Sequence, residues 1–242
     1  MPIMSAILGP SPETPPSKAP AESRRRWFEL LLVLLVAFSG PLTSALSILN
    51  AGPGPAQHPR SASWLLGSLH EVISILLLGY VLSRSGRGFN DLGVRWSLRD
   101  FGLGVLVYLV SLATYLFGTV FVQLVHYLRY YAYYPGPTAK TIFGHSRIAM
   151  IPYILITPFF EELIVRAYLM TEMRDLTGSA VLAAVASVLL QSAYHLYYGW
   201  LGALSISFLF IPLAVYYALT RRALPIIVAH GIFDIYGLIH MR

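Results

Sequence analysis

Apolar residues occur along this chain in long runs, each closed by a short polar or basic segment. The first run goes from Trp27 to about Asn50 and the second from Trp64 to Leu82. The third runs from near Phe101 to a tyrosine-dense end (Tyr127, Tyr130, Tyr131, Tyr133, Tyr134). The fourth starts at Ile148 and ends near Thr171, before a short polar turn with Glu172, Arg174, Asp175 and Gly178; the fifth continues to Tyr198. The sixth spans Trp200 to Leu219 and the seventh Leu224 to about His240. Several runs reach the roughly 20 residues a helix needs to cross about 30 Å of hydrocarbon. The pattern predicts an all-α fold: a polytopic transmembrane helical bundle of about seven spans. Gly40-Pro41 predicts a kink in the first helix. A Pro/Gly connector (Ala51 to Arg60) and Pro135-Gly136-Pro137 predict breaks.

Composition agrees with this pattern. Of 242 residues, 56% are hydrophobic and 12% charged, and mean hydropathy is +0.64, which leaves too little polar surface to cover a soluble domain. Residues 1–23 are rich in Pro, Ser and Ala without periodicity, so 1–26 reads as a disordered cytoplasmic N-terminus. Residues 27–146 read as N-terminal transmembrane helices, and 147–242 as a helical core holding the chemistry. The first run is too long for a signal-peptide core and reads as an uncleaved span.

The net charge of +6 does not point to nucleic acid, because the basic residues flank apolar runs, where they set topology. Arg24 to Arg26, the loop with Arg84, Arg87, Arg95 and Arg99, the Arg174 turn and Arg221-Arg222 all fall on one side, expected to be cytoplasmic. Arg60, Lys140 and Arg147 dissent. The absence of cysteine excludes disulfides, thiolate nucleophiles and Cys-ligated metals, so chemistry here uses oxygen or imidazole groups.

The fourth run holds Glu161, Glu162 and Arg166. Ionisable residues inside a membrane span are costly and are read as functional. On an α-helix Glu162 and Arg166 stack at i,i+4 with the acid N-terminal, which assigns Glu162 a local counter-ion and a structural role. Glu161 points about 100° away and needs a partner from another helix. His195, near the end of the fifth run, shares a face with Gln191. Glu161 and His195 each lie about 17 residues from Gly178, so an antiparallel hairpin turning there brings them to similar depth. His230 and Asp234 are i,i+4 on the seventh run, with Gly231 between them allowing close approach of a helix. A carboxylate base, two imidazoles and a further acid are the parts of a water-activating site. His70-Glu71 opens like a zinc-peptidase motif, but position 74 is Ser, so the pair reads as a polar helix contact. Neither an intramembrane serine protease nor an aspartyl-type motif is present.

Glu161-Glu162-x-x-x-Arg166, then His195, then His230-x-x-x-Asp234, on successive or near-successive helices, resembles the CPBP family. That family includes CAAX prenyl endopeptidases, bacteriocin-processing enzymes and Abi-type membrane proteins. The resemblance covers about Ile148 to the C-terminus. One departure is Gln191, where the family's second motif usually has Phe four residues before its histidine.

The resemblance implies cleavage of a peptide bond in a membrane-associated protein or peptide, at or within the bilayer, by a multi-pass protein of the bacterial inner (cell) membrane. Glu161 with His195 would activate water, while His230 and Asp234 would stabilise the oxyanion or bind metal. Two histidines with carboxylates suit Zn2+ held by His195 and His230, and a metal-free glutamate mechanism suits the same residues; both stand at this point. The alternatives are a non-catalytic bacteriocin self-immunity or membrane partner-binding protein, and a proton-coupled carrier. The carrier reading is weakened by the lack of internal repeats or paired broken helices.

Overall fold

The computed structural model describes residues 20–51, 61–134 and 147–240. Residues 1–19, the connector at 52–60 with Arg60, Pro135-Gly136-Pro137 and Lys140 lie outside the described residues, as does the side chain of Arg147. Among the described residues seven helices follow in order: α1 (Pro20–Ala51), α2 (Ser61–Arg84), α3 (Leu98–Tyr130), α4, α5 (Ala180–Tyr194), α6 (Gly199–Thr220) and α7 (Leu224–His240). Helix α4 is one continuous rod built of an α-helical stretch (Arg147–Glu161), a π-helical stretch (Glu162–Tyr168) and a second α-helical stretch (Leu169–Thr177). Among the described residues there is no strand. Among the described residues five helices are long and apolar enough to cross a membrane; α5 and α7 are shorter. The protein is a multi-pass, all-α membrane bundle.

Three expectations change. Helix α1 begins at Pro20, so residues 20–26, read as part of a disordered N-terminus, are helical. Glu172, Arg174 and Asp175 are not a turn; α4 continues to Thr177 and is capped by Gly178 in the left-handed conformation (φ 74°). Residues 195–198 are not a continuation of the fifth helix: α5 stops at Tyr194, and a 3-10 turn (Leu196–Tyr198) leads into α6.

Pro41 does not end α1, which runs through it. Proline has no N–H, so the carbonyl of Ala37 loses its intrahelical donor. His70 of α2 supplies one, its Nε2–H donating to Ala37 O at 3.0 Å. The proline of one helix thus creates the acceptor that docks the next.

Helix α4 is the most buried span and packs against five others. Its first stretch lies between α2 and α7, its π stretch faces α5 and α6, and its last stretch lies on α5 and α1. Helix α3 runs along α6 and α7. Gly118 and Gly104 lie at those contacts, where a Cβ would collide with Phe208 and Val228. The outward faces of α1, α2 and α3 carry Leu31, Leu35, Leu66, Leu76, Phe117 and Val120, all more than half exposed, as lipid-facing surfaces do.

The basic segments gather at one end of the bundle through ion pairs. Arg26 Nε lies 2.7 Å from Glu172 Oε2 and its Nη2 3.0 Å from Asp175 Oδ2, while Arg87 Nη1 lies 2.7 Å from Glu172 Oε1. Arg222 pairs with the buried Asp100 at 2.7 Å. Arg26 is therefore more than a topology signal: it ties α1 to the end of α4. The tyrosine-rich end of α3 lies at the other end, where Tyr134 OH donates to Tyr198 O at 3.2 Å, just beyond α5.

Candidate active site

The site forms where the π stretch of α4 faces α5 and α7. Pro152 and Pro158 interrupt the ladder of the preceding stretch, and from Glu162 the turns widen to i→i+5 bonding. A wider turn holds more than 3.6 residues, so successive side chains step by less than the 100° expected of an α-helix. The two adjacent glutamates both come near His230, and each also has a partner of its own.

Glu161 is buried, and its Oε2 accepts hydrogen bonds from Gln191 Nε2 at 2.6 Å and Tyr194 OH at 2.7 Å. His230 Nε2 lies 3.9 Å from the same oxygen. Among the described residues no hydrogen bond falls on Oε1. Gln191, the departure from the family's usual Phe, is thus a direct ligand of the first glutamate. Tyr194, which the sequence reading did not single out, is the second; it lies three residues further along the same face of α5.

Glu162 Oε1 lies 3.3 Å from Arg166 Nη1, the expected i,i+4 ion pair, with both side chains fully buried. The guanidinium also sits over the ring of Phe210 of α6, 5.2 Å from its centroid, a cation–π contact. The sequence reading gave Glu162 no further partner. His230 Nδ1–H donates to the same Oε1 at 2.8 Å, so Glu162 also orients an imidazole.

His230 Nε2 then lies between two carboxylates, 3.9 Å from Glu161 and 3.6 Å from Asp234 Oδ1. Asp234 is partly exposed, with 24% of its side chain accessible. Gly231 sits against Pro158 of α4, where a Cβ would make only ordinary contact at 3.6 Å. Close approach there does not require glycine.

His195 caps α5. Its backbone N–H bonds Ser192 O at 3.2 Å instead of the i−4 carbonyl. The ring Nδ1–H takes that abandoned carbonyl, donating to Gln191 O at 2.8 Å. A carbonyl only accepts, so Nδ1 carries the proton and Nε2 is left free. The ring is buried among Tyr194, Phe210, Tyr197 and Tyr198. Gln191 therefore touches both motifs: its side chain holds Glu161 and its carbonyl fixes His195. Among the described residues no hydrogen bond or ion pair joins Glu161 to His195, two residues that the sequence places at similar depth. Gln191 and Tyr194 are the residues of α5 that hydrogen-bond the Glu161 carboxylate.

In both histidines Nδ1 is engaged and Nε2 remains, the arrangement common to metal-binding imidazoles. Even so, among the described residues no three His, Asp or Glu side chains gather into a group able to hold a metal ion. Zinc at His195 and His230, one of the two readings left open by the sequence, would lack a third protein ligand there.

In this membrane bundle two glutamates and two histidines lie buried where α4, α5 and α7 meet, with the partly exposed Asp234 beside them. Residues 143–236 match the family model "Rce1-like: Type II CAAX prenyl endopeptidase Rce1-like". The match includes the site-bearing parts of α4, α5 and α7, and it supports a CPBP/CAAX protease family assignment for this part of the chain. No curated protein and no solved structure matches the chain. Helices α1, α2 and α3 lie outside the matched residues.

Proposed function

We propose that the chain is an intramembrane endopeptidase in which Glu161 activates water against a peptide bond of a membrane-associated protein or peptide. The observation that carries this reading is the asymmetry of the Glu161 carboxylate. Gln191 and Tyr194 hold Oε2 in place, and no hydrogen bond falls on Oε1 among the described residues. A fixed base with one oxygen available is what general-base attack needs.

In the proposed reaction, water gives a proton to Glu161 as its oxygen bonds to the scissile carbonyl carbon, and the carbonyl electrons move to oxygen. His230, held by Glu162 and flanked by Asp234, donates toward that oxyanion. His195, fixed through Nδ1, offers Nε2 to the same region. When the tetrahedral intermediate collapses, the C–N bond breaks and Glu161 returns its proton to the leaving amine. Because the donors do not gather into a metal-holding group, no step is routed through a metal. The family's name supplies the prenylated C-terminus as the first substrate class to try. The expected setting is a bacterial cell membrane, with the Arg26 and Arg222 end in the cytoplasm.

The test is membrane peptidomics comparing wild-type cells with cells carrying Glu161→Gln. New protein termini present only in the wild type are expected. Identical termini in both would overturn the endopeptidase reading.

A further inference from the structure

Glu71 of α2 lies outside the matched residues and has no part in the motifs. It is buried, 2% exposed, yet it belongs to one of the spans with large lipid-facing surfaces. Its Oε1 is 2.7 Å from Thr157 Oγ1, and its Oε2 has no hydrogen-bond partner among the described residues. Thr157 stands one helical turn before Glu161 on α4. Glu71 is also within electrostatic range of Glu161, Asp234 and His230.

The hydrogen bonds around Thr157 set a limit on protons. Thr157 Oγ1 is 2.7 Å from Glu71 and 2.8 Å from Tyr153 O. A hydroxyl has one hydrogen to donate, and a backbone carbonyl has none. The chain closes when Thr157 donates to Tyr153 O and Glu71, as the carboxylic acid, donates to Thr157 Oγ1. Charge points the same way. With Glu71 ionised, four carboxylates (Glu71, Glu161, Glu162, Asp234) would face two cations, Arg166 and a protonated His230, in a buried space. An unpaired buried carboxylate costs far more than a neutral, hydrogen-bonded one.

We propose that Glu71 is a positioning residue of the site: a proton-holding carboxyl that bolts α2 to the turn of α4 beneath Glu161 and adds no charge beside it. The contacts around it are arranged to hold that bolt. His70, the preceding residue, is docked on the carbonyl freed by Pro41, and Trp64 and Gly67, further back along α2, pack on the Tyr153 ring. The activity part of this inference rests on the endopeptidase reading; the protonation part does not.

Two measurements test it. Infrared difference spectra of purified wild type and Glu71→Gln at neutral pH should show the carbonyl stretch of a protonated carboxyl in the wild type only. Thr157→Val should shift that band by removing its hydrogen-bond partner. In cleavage assays Glu71→Gln, neutral and still a donor, should stay within about threefold of wild type, while Glu71→Leu and Thr157→Val lose about tenfold or more. A folded but inactive Glu71→Gln, or no carboxyl band lost in it, overturns the proposal. If no variant and no wild-type preparation cleaves anything, the endopeptidase reading fails, while the infrared band still decides the state of Glu71.

Discussion

His230 Nδ1 stands 2.8 Å from Oε1 of Glu162, the same oxygen that faces Arg166. One carboxylate therefore neutralises a buried guanidinium and holds an imidazole. Glu162→Gln should lower stability, because removing one partner of a buried pair typically costs about 3–5 kcal/mol. It should also lower cleavage. The double variant Glu162→Gln, Arg166→Met separates the two effects, since it removes the stranded charge as well. Thermal melting should recover toward wild type in the double variant while cleavage stays low. Recovery of both would mean that the contact with His230 has no role in the reaction.

Glu161→Gln keeps the shape of the side chain and an oxygen able to accept from Tyr194 or Gln191, but it removes the proton acceptor. Loss of a general base costs roughly 10²–10⁴ in rate. Turnover in detergent or liposomes should fall by that order with little change in melting temperature. Near wild-type turnover, together with a folded but dead Glu162→Gln, would reverse the roles given to the two glutamates.

Where the sequence was informative, a single helix held the whole signal. Helix α7 runs from Leu224 to His240 because an apolar run follows Arg221-Arg222, and the i,i+4 spacings of Glu162 with Arg166 and His230 with Asp234 need only one helix each. Contacts between distant segments left no such trace. Glu172 reads as part of a polar turn until Arg26, 146 residues away, reaches it. His70-Glu71 reads as a polar helix contact and is one, but its partners Ala37 and Thr157 lie on other helices, 33 and 86 residues away. The π stretch was illegible for a different reason: a regular 3.6-residue period carries no sign that the turns widen between Glu162 and Tyr168.

Gln191 and Tyr194 predict how a departure from the usual motif is absorbed. Each donates to Glu161 Oε2, and a hydrogen bond to a charged group contributes about 1.5–3 kcal/mol. Gln191→Leu and Tyr194→Phe should each lower kcat by about 10- to 100-fold if that energy positions the base in the transition state. The double variant should be less than additive, because the two donors share one oxygen. Steady-state kinetics of the four proteins checks this; unchanged kcat in both single variants would remove them from the site.

The Arg26, Arg87 and Glu172 cluster is expected to act on stability alone. Glu172 is 1% exposed and binds two guanidinium groups, one from α1 and one from the loop after α2. Glu172→Gln leaves Arg26 without its buried partner and should destabilise by about 3–5 kcal/mol. Activity per folded molecule should not change. A folded Glu172→Gln protein with lost turnover would show that this end of the bundle is coupled to the site.

The histidines allow a last test, which bears on metal. His195 donates through Nδ1 to Gln191 O, and His230 through Nδ1 to Glu162, so each keeps Nε2 for the reaction. Asparagine reproduces the Nδ1 donor of histidine and lacks anything at Nε2. His195→Asn should therefore fold, retaining the cap on α5, and lose activity. Because no three donors gather into a metal-holding group, purified wild-type protein should cleave at its full rate after exhaustive chelation. Elemental analysis should find the same metal content in wild type, His195→Asn and His230→Asn. Stoichiometric zinc in the wild type that is lost in both variants, together with activity restored only by added zinc, would show that His195 and His230 close around a metal and would replace the glutamate-only mechanism.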